Sequence, residues 1–225
     1  MWVRKHTWER CLINTKREVF CEDALEWLNR SGVVPHSSLV ASLPDISEFT
    51  GYTLEKWSTW FIEAARIILQ STPPNGVTIF YQSDIKLEGA WVDKSYLCQK
   101  AAELLEHKLL WHKIILRAPL GVTTFGRPAY SHMLCFSKEL KLDPQFSTPD
   151  VMERGEQLWE RGMGRIPATL AAKFIKERTD STVLINPFCG HGTMLAAAEL
   201  AGVVSIGIER SPKRAEIARA SQYSV

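Results

Sequence analysis

Hydrophobic and polar positions follow two different periods along this chain. Short continuous apolar stretches, typical of buried strands, alternate with segments in which apolar residues recur at helical spacing. The clearest helical segment begins at the capping residue Thr53 and runs to about Ser71, with apolar side chains such as Trp57 and Phe61 on one face. Strands and helices in alternation predict an α/β fold, in which helices cover both faces of one sheet.

The same patterns predict the individual elements. Predicted strands cover residues 17–21, 37–41, 77–81, 109–116, 131–136, 183–185 and 203–208. Predicted helices cover residues 24–29, 53–71, 93–106, 166–176, 194–201 and 213–220. The strands at 109–116 and 131–136 are joined without a helix, so we expect that pair to be antiparallel. Residues 138–162 are polar and poorly patterned, which predicts a surface excursion.

The strongest motif lies near the carboxyl end of the chain. The strand at 183–185 runs into Gly190-His191-Gly192, which opens the next helix. Glycines at such a turn let the backbone bend sharply and admit a ligand where a Cβ would be in the way. Glu209 follows at the end of the next strand, where a carboxylate accepts hydrogen bonds from both ribose hydroxyls. The motif therefore predicts a ligand that contains a nucleoside.

The residues around this turn favour S-adenosylmethionine over a dinucleotide. A dinucleotide fold would have a third glycine where this chain has Leu195, and it would present a helix N-terminus to a pyrophosphate. S-adenosylmethionine carries no phosphate, so two glycines suffice.

A family resemblance rests on these segments. Asn186-Pro187-Phe188-Cys189-Gly190-His191-Gly192-Thr193, followed by Ile206-Gly207-Ile208-Glu209, resembles the first two motifs of class I S-adenosylmethionine-dependent methyltransferases. Those motifs usually begin the domain, whereas here they end the chain. The order is similar to that of the beta-class nucleic-acid amino-methyltransferases. The resemblance implies a circularly permuted, Rossmann-like sheet of seven strands, mostly parallel with one antiparallel strand.

The resemblance also assigns site residues. The cofactor-binding residues it implies are Asp23, Pro167, Ala168, Thr169, Asn186, Phe188, Gly190, Gly192, Thr193 and Glu209. Ser42-Leu43-Pro44-Asp45 stands at the catalytic tetrapeptide, which in the family reads Asp/Asn/Ser-Pro-Pro-aromatic, so Leu43 and Asp45 depart from the pattern. Ser42 and the Leu43 carbonyl would accept hydrogen bonds from the target amine. Residues expected to contact the substrate are Phe49, Asp84 and Lys86.

The implied sheet order places the glycine strand at the centre. The strands before Glu209 and Asp23 would lie on one side of it, and those before Ser42 and Gln82, with the antiparallel pair, on the other. We expect residues 1–225 to form a single catalytic domain with a short N-terminal extension at 1–15.

Composition limits the partners and the compartment. The net charge of +2 permits a nucleic acid but does not require one, although basic residues near the expected site could contact phosphates: Lys86, Lys94, Lys113, Arg117, Arg127, Arg161 and Arg165. Five cysteines without a CxxC pair indicate reduced thiols inside a cell, in the cytoplasm or nucleus, with an organelle not excluded, and no metal site. The chain contains no apolar run long enough for a membrane span and no secretory signal.

Three hypotheses on function follow. The first is methylation of an exocyclic base amine in RNA (tRNA or rRNA), because no target-recognition domain is present to read duplex DNA and a protein partner could supply specificity. The second is an enzyme of the same fold that methylates DNA, a protein or a small molecule. The third is a catalytically inactive scaffold that binds the cofactor inside a complex.

Overall fold

A computed structural model describes residues 17–223, so the predicted extension at 1–15 lies outside the described residues. Its strands are β1 (Arg17–Phe20), β2 (Ser37–Ala41), β3 (Thr78–Gln82), β4 (Ile85–Leu87), β5 (Ala90–Val92), β6 (Lys108–Leu116), β7 (Tyr130–Ser137), β8 (Val151–Glu153), β9 (Val183–Pro187) and β10 (Val204–Ile208). Its α-helices are α1 (Ala24–Ser31), α2 (Leu54–Gln70), α3 (Lys94–Glu103), α4 (Arg165–Arg178), α5 (Thr193–Leu200) and α6 (Pro212–Ala220).

Eight strands form one sheet in the order β1-β10-β9-β2-β3-β7-β6-β8. Every neighbouring pair is parallel except the two pairs that involve β7, so β7 alone runs against the others. The mostly parallel sheet with one antiparallel strand is confirmed. The central position of β9, between β10 and β2, is confirmed as well.

The predicted count of seven strands was one short. The eighth strand, β8, lies in the segment 138–162 that was predicted as a surface excursion, and it pairs with β6 to become the edge strand of the sheet. Lys113 of β6 holds this segment: its nearly buried ammonium donates to the carbonyls of Thr148 and Pro149, both at 3.0 Å, and pairs with Asp150 at 3.4 Å. These contacts join residues more than thirty positions apart, so the local hydrophobic pattern does not predict them.

A second small sheet was also missed. Strands β4 and β5 form a hairpin whose two-residue turn, Glu88-Gly89, has positive φ at both positions (50° and 78°). That geometry is favoured in tight hairpins, but Asn or Asp is its usual first residue. Because Glu stands there instead, the turn has no clear sequence signal.

Apolar side chains fill both faces of the eight-stranded sheet. One core contains Trp27 of α1, Trp57 and Phe61 of α2, and Phe80 of β3, each 2% exposed or less. Such burial contributes about 1.5–3 kcal/mol for each large side chain. The other face is covered by α4 and α5. Because the helices after β9 and β2 lie on opposite faces, a crevice opens at the carboxyl ends of these two strands.

Candidate active site

The glycine turn connects β9 to α5. Gly190 and Gly192 both have positive φ (57° and 81°), and the Gly192 amide donates to the Cys189 carbonyl at 2.9 Å. A Cβ at Gly190 would lie 2.7 Å from the Trp159 indole, which stacks on His191 with a centroid distance of 4.2 Å. The missing side chain therefore lets a flat ring pack directly against the backbone.

Glu209 fixes this turn to the end of β10. Its carboxylate is 8% exposed; one oxygen accepts from the Gly190 amide at 3.1 Å and the other from the Ser211 amide at 2.9 Å. An ionised carboxylate has about four acceptor positions, so these two bonds leave acceptor capacity for a ligand.

A cavity of about 220 Å³ opens beside the turn, and we call it the glycine-turn cavity. Four of the predicted cofactor residues line it: Asp23, Phe188, Gly190 and Glu209. Phe49 and Trp60 add an aromatic wall, with ring centroids 4.5 Å apart, and Phe188 lies edge-on to Trp60 at 6.4 Å. The cavity combines a buried carboxylate with flat apolar surfaces.

The other six predicted cofactor residues do not line this cavity. Asn186 is buried and donates its side-chain amide to the Val40 carbonyl at 2.5 Å, which ties β9 to β2. Gly192 continues the turn, and Thr193 begins α5 with a buried hydroxyl that has no hydrogen-bond partner among the described residues. The remaining three occupy the first turns of α4: Pro167, Ala168 and Thr169.

The turn after β2 separates two cavities. Ser42, which is exposed, and Leu43, which is 4% exposed, line both the glycine-turn cavity and a second cavity. Pro44 lines the first cavity, and its carbonyl accepts from the Trp57 indole at 3.4 Å. The predicted catalytic turn thus lies where the two cavities meet.

The second cavity, which we call the arginine cavity, measures about 400 Å³. Besides the Ser42 turn it is lined by five cationic side chains: Lys94, Arg117, Arg127, Arg154 and Arg161. The carboxylates along it are Asp45, Glu48 and Glu160. Positive charge is therefore in excess.

Asp45 is paired inside the arginine cavity. Its carboxylate, on a residue 8% exposed, pairs with the Lys94 ammonium at 3.1 Å and with the Arg127 guanidinium. Burial alone would raise the pKa of Asp45, but these two cations outweigh it and hold the pKa below its ordinary value. Asp45 also caps the short 3-10 helix Ile46–Glu48, where it forms a capping box with Glu48. It is consequently a firmly ionised carboxylate and a weak proton acceptor.

Asp84 and Lys86, which were predicted to contact the substrate, line neither cavity. Asp84 is 1% exposed and accepts from the Trp91 indole at 3.0 Å and the Lys94 amide at 2.9 Å. Lys86 is exposed and lies over the Trp91 ring. Asp84 therefore holds the start of α3, and so the backbone of Lys94, in place.

A histidine pair completes the surroundings of Asp84. His132 Nε2 lies 2.9 Å from Asp84, and His132 Nδ1 lies 2.9 Å from His112 Nε2. Since the ionised carboxylate must accept, His132 donates its Nε2–H to it. Donor atoms of Asp84, Asp93 and His132 also lie within 4.8 Å of one another, as metal ligands would. Each of the three groups is already hydrogen-bonded: His132 to Asp84, and Asp93 to the Ser95 hydroxyl at 2.7 Å and the Tyr96 amide at 2.9 Å.

Cys189 lies in the glycine turn and not in the Ser42 turn. Burial raises the pKa of its thiol to about 12, so the group is protonated at neutral pH. A protonated thiol is a poor nucleophile, so its position and its protonation both disfavour a covalent mechanism through Cys189.

Several lining residues were missed or misjudged. Trp60 shares the helix α2 with Trp57 and Phe61, but only the latter two are fully buried, and Trp60 lines the glycine-turn cavity. The helical period places Trp60 at the margin of the apolar face, which is a usable signal. Trp159 and Arg154 reach the cavities from the segment 138–162, and no local pattern marks them. Gln82 directly follows the predicted strand 77–81, so its position at the carboxyl end of that strand was a usable signal.

Comparison with known proteins identifies the fold. No protein-family model matches the sequence, and no curated protein is similar to it. A putative DNA modification methylase from Thermus thermophilus, solved with S-adenosyl-L-methionine, superposes with a TM-score of 0.68 at 18% identity, over 91% of this chain and 92% of that one. The PvuII DNA methyltransferase, described as cytosine-N4-specific, gives 0.68 at 14% identity, over 91% and 86%. The M1.HpyAVI–SAM complex gives 0.59 at 12% identity, over 91% and 98%.

These similarities show that the chain has the class I methyltransferase fold. The fold class implied by the glycine motif is therefore confirmed. Within residues 17–223, no helix is both long enough and apolar enough to cross a membrane.

Proposed function

We propose that this protein is an S-adenosylmethionine-dependent methyltransferase that acts on an exocyclic amine in nucleic acid, with DNA as the polymer. The observation that carries the proposal is the meeting of two cavities at Ser42 and Leu43. A methyl transfer needs its donor and its acceptor in contact at one point, on an in-line path. The glycine-turn cavity has the features of a donor site, and the arginine cavity those of an acceptor site.

The residues of the glycine-turn cavity fit S-adenosylmethionine. The remaining acceptor positions of Glu209 would bind the ribose hydroxyls, and the wall of Phe49, Trp60 and Phe188 would pack against the adenine. Asp23 lines the same cavity and would accept from the adenine amine. The cofactor supplies an electrophilic methyl group on a sulfonium.

The Ser42 turn would prepare the target amine. Its lone pair is conjugated into the base, so it must be drawn toward tetrahedral geometry before it can attack. The Ser42 hydroxyl and the Leu43 carbonyl, acting as acceptors for the two N–H groups, would do this and would hold the nitrogen toward the donor. Asp45 is already paired with two cations, so we assign it the electrostatic organisation of the pocket rather than proton transfer.

DNA replaces RNA as the expected polymer. RNA was the first hypothesis because the chain carries no separate target-recognition domain. This chain covers 92% of a protein named a putative DNA modification methylase and 86% of one named a DNA methyltransferase. Proteins with DNA in their names therefore have nearly the same extent, and the lack of a separate target-recognition domain no longer favours RNA. The cytosine-N4 specificity named for the PvuII protein supports an exocyclic amine as the target. The late position of the glycine motif supports a circularly permuted, single catalytic domain.

Two measurements test the proposal. Calorimetry should detect S-adenosylmethionine binding at micromolar strength or tighter, about 8 kcal/mol. Heat with NAD but not with S-adenosylmethionine would refute the cofactor assignment.

Methyl-labelled cofactor incubated with DNA, RNA and protein fractions should label DNA. Label in RNA alone would restore the first hypothesis, and label in protein alone would exclude a nucleic-acid target. Cofactor binding without transfer to any fraction would favour the scaffold.

A further inference from the structure

Three of the cations in the arginine cavity have no anionic partner among the described residues. Lys94 and Arg127 are paired with Asp45, but Arg117, Arg154 and Arg161 form no ion pair within residues 17–223. One guanidinium nitrogen of Arg117, Nη1, is buried and has no hydrogen-bond partner among the described residues. Guanidinium groups are matched by oxyanions, which they bind through paired N–H donors.

Gln82 provides an independent indication of a ligand. It ends β3, is 1% exposed and lines the arginine cavity, yet its side-chain Nε2 has no hydrogen-bond partner in the part of the chain that the structure describes. Leaving a buried donor unsatisfied costs free energy, so such a group needs an explanation. An acceptor atom of a ligand in the cavity would satisfy Gln82 and Arg117 together.

We propose that Arg117, Arg154 and Gln82 form a phosphate subsite that holds a phosphodiester of the target strand beside the Ser42 turn. The inference rests on the proposed function, since it assigns the polymer contact of that same site. The excess of cations in the cavity makes an oxyanion the fitting occupant, and Tyr81 is the only aromatic side chain that lines it among the described residues. Burial lowers the pKa of Arg117, and the charges of Arg127 and Arg154 lower it further, as expected for cations gathered without an anion.

Position separates this subsite from the donor site. Arg117, Arg154 and Gln82 line the arginine cavity alone, whereas Arg161 lines both cavities. Variants at the first three residues should therefore weaken strand binding and leave cofactor binding unchanged.

The test measures binding of a fluorescein-labelled single-stranded DNA of mixed sequence over a range of NaCl concentrations. Arg117→Gln and Arg154→Gln should each weaken binding by about tenfold and lower the slope of log affinity against log salt by about 0.7, the value for one phosphate contact on a single strand. Lys176→Gln, a matched loss of charge on the exposed side of α4, should leave the slope unchanged. Calorimetry with S-adenosylmethionine should give wild-type affinity in all three variants.

Gln82→Leu distinguishes a binding role from a structural one. Removing the unsatisfied buried donor should raise the melting temperature by about 2–4 °C while strand binding weakens. A fall in both would show that Gln82 serves the fold, and would overturn its place in the subsite.

The outcomes separate this inference from the proposed function. Equal slopes for wild type, Arg117→Gln and Arg154→Gln would overturn the phosphate subsite even if the enzyme methylates DNA. Reduced slopes in both variants, with no methyl transfer to any fraction, would keep the subsite and refute the proposed activity.

Discussion

The glycine-turn cavity and the arginine cavity share the Ser42 turn but are built in different ways. In the first, backbone amides of Gly190 and Ser211 fix the buried carboxylate of Glu209, and aromatic side chains form a flat apolar wall. In the second, long charged side chains from separate elements converge, and only Asp45 among the carboxylates neutralises two of them. The first is a site fixed by local backbone geometry, and the second depends on the balance of charges across the fold.

This difference predicts that substitutions in the two cavities have different effects. A substitution in the glycine-turn cavity should remove one ligand contact and leave the other cavity intact. A substitution of Asp45 should disturb the arginine cavity as a whole, because two cations lose their shared partner.

The largest effect is expected for Asp45→Ala. Lys94 would remain buried without a counter-charge, and breaking a buried ion pair from one side is strongly destabilising. We expect a loss of about 2–4 kcal/mol in the free energy of unfolding, measured in urea, because Arg127 is partly exposed and loses less. Methyl transfer should fall by about 100-fold or more, about 3 kcal/mol, with cofactor affinity within a few-fold of wild type.

Two further variants isolate the charge. Asn caps a helix as well as Asp does, so Asp45→Asn keeps the cap of the 3-10 helix and removes only the negative charge. The double change Asp45→Asn with Lys94→Met should recover part of the stability lost in Asp45→Asn, since it removes the unpaired ammonium. Full methyl transfer in Asp45→Ala would show that the arginine cavity is not the acceptor site.

Ser42→Ala tests the junction of the two cavities. Ser42 is exposed, so its replacement should change the unfolding free energy by less than about 0.5 kcal/mol. Loss of one acceptor for the target amine should lower kcat by about 100-fold, with cofactor affinity unchanged. The prediction is checked by measuring kcat together with the cofactor affinity in calorimetry. An equal loss in both would show that Ser42 contacts the cofactor rather than the target amine.

Glu209→Ala tests the glycine-turn cavity by itself. Removing charge-assisted hydrogen bonds to the ribose should weaken S-adenosylmethionine binding by about 1–3 kcal/mol in calorimetry. Single-stranded DNA affinity, measured without cofactor, should stay at the wild-type value because Glu209 does not line the arginine cavity. Weaker strand binding would mean that the cavities are not independent.

The two cavities also differ in how far the sequence predicts them. Gly190, Gly192 and Glu209 stand in one strand-turn-helix-strand unit, so their spacing alone indicates a ligand that contains a nucleoside. The order of the strands around β9 was implied by the family resemblance. Asp23, Phe188 and the Ser42 turn were predicted from the resemblance and do line the cavities. Local spacing therefore predicts the part of the site that one unit of backbone builds.

Four of the five cations that line the arginine cavity were expected near the site from the sequence, but their pairing and the other lining residues required the folded chain. Asp84 follows the strand next to Ser42 and was expected to face the substrate, but contacts with Trp91 and His132 turn it inward. Arg154 lies in the excursion that only the pairing of β8 with β6 brings to the site. Such contacts depend on partners that are distant in the chain, so neither the hydrophobic period nor the spacing of motifs predicts them.

The smallest expected effect is the pH dependence of the Asp45 contribution. The pKa of Asp45 is lower in the folded protein than its ordinary value, so the unfolded chain takes up a proton first as the pH falls. The stability that Asp45 contributes is therefore fully present above the ordinary carboxyl pKa of about 3.9 and is lost as the pH falls below it. Urea unfolding of wild type and Asp45→Asn from pH 7 to about pH 3 measures this difference, with Lys94 outside its ordinary titration range. The difference should be constant above about pH 5 and shrink by at most about 1 kcal/mol by pH 3, since one proton changes the free energy of unfolding by about 1.4 kcal/mol per pH unit. A difference that instead grows as the pH falls would mean that burial outweighs the two cations, which contradicts an arginine cavity with excess positive charge.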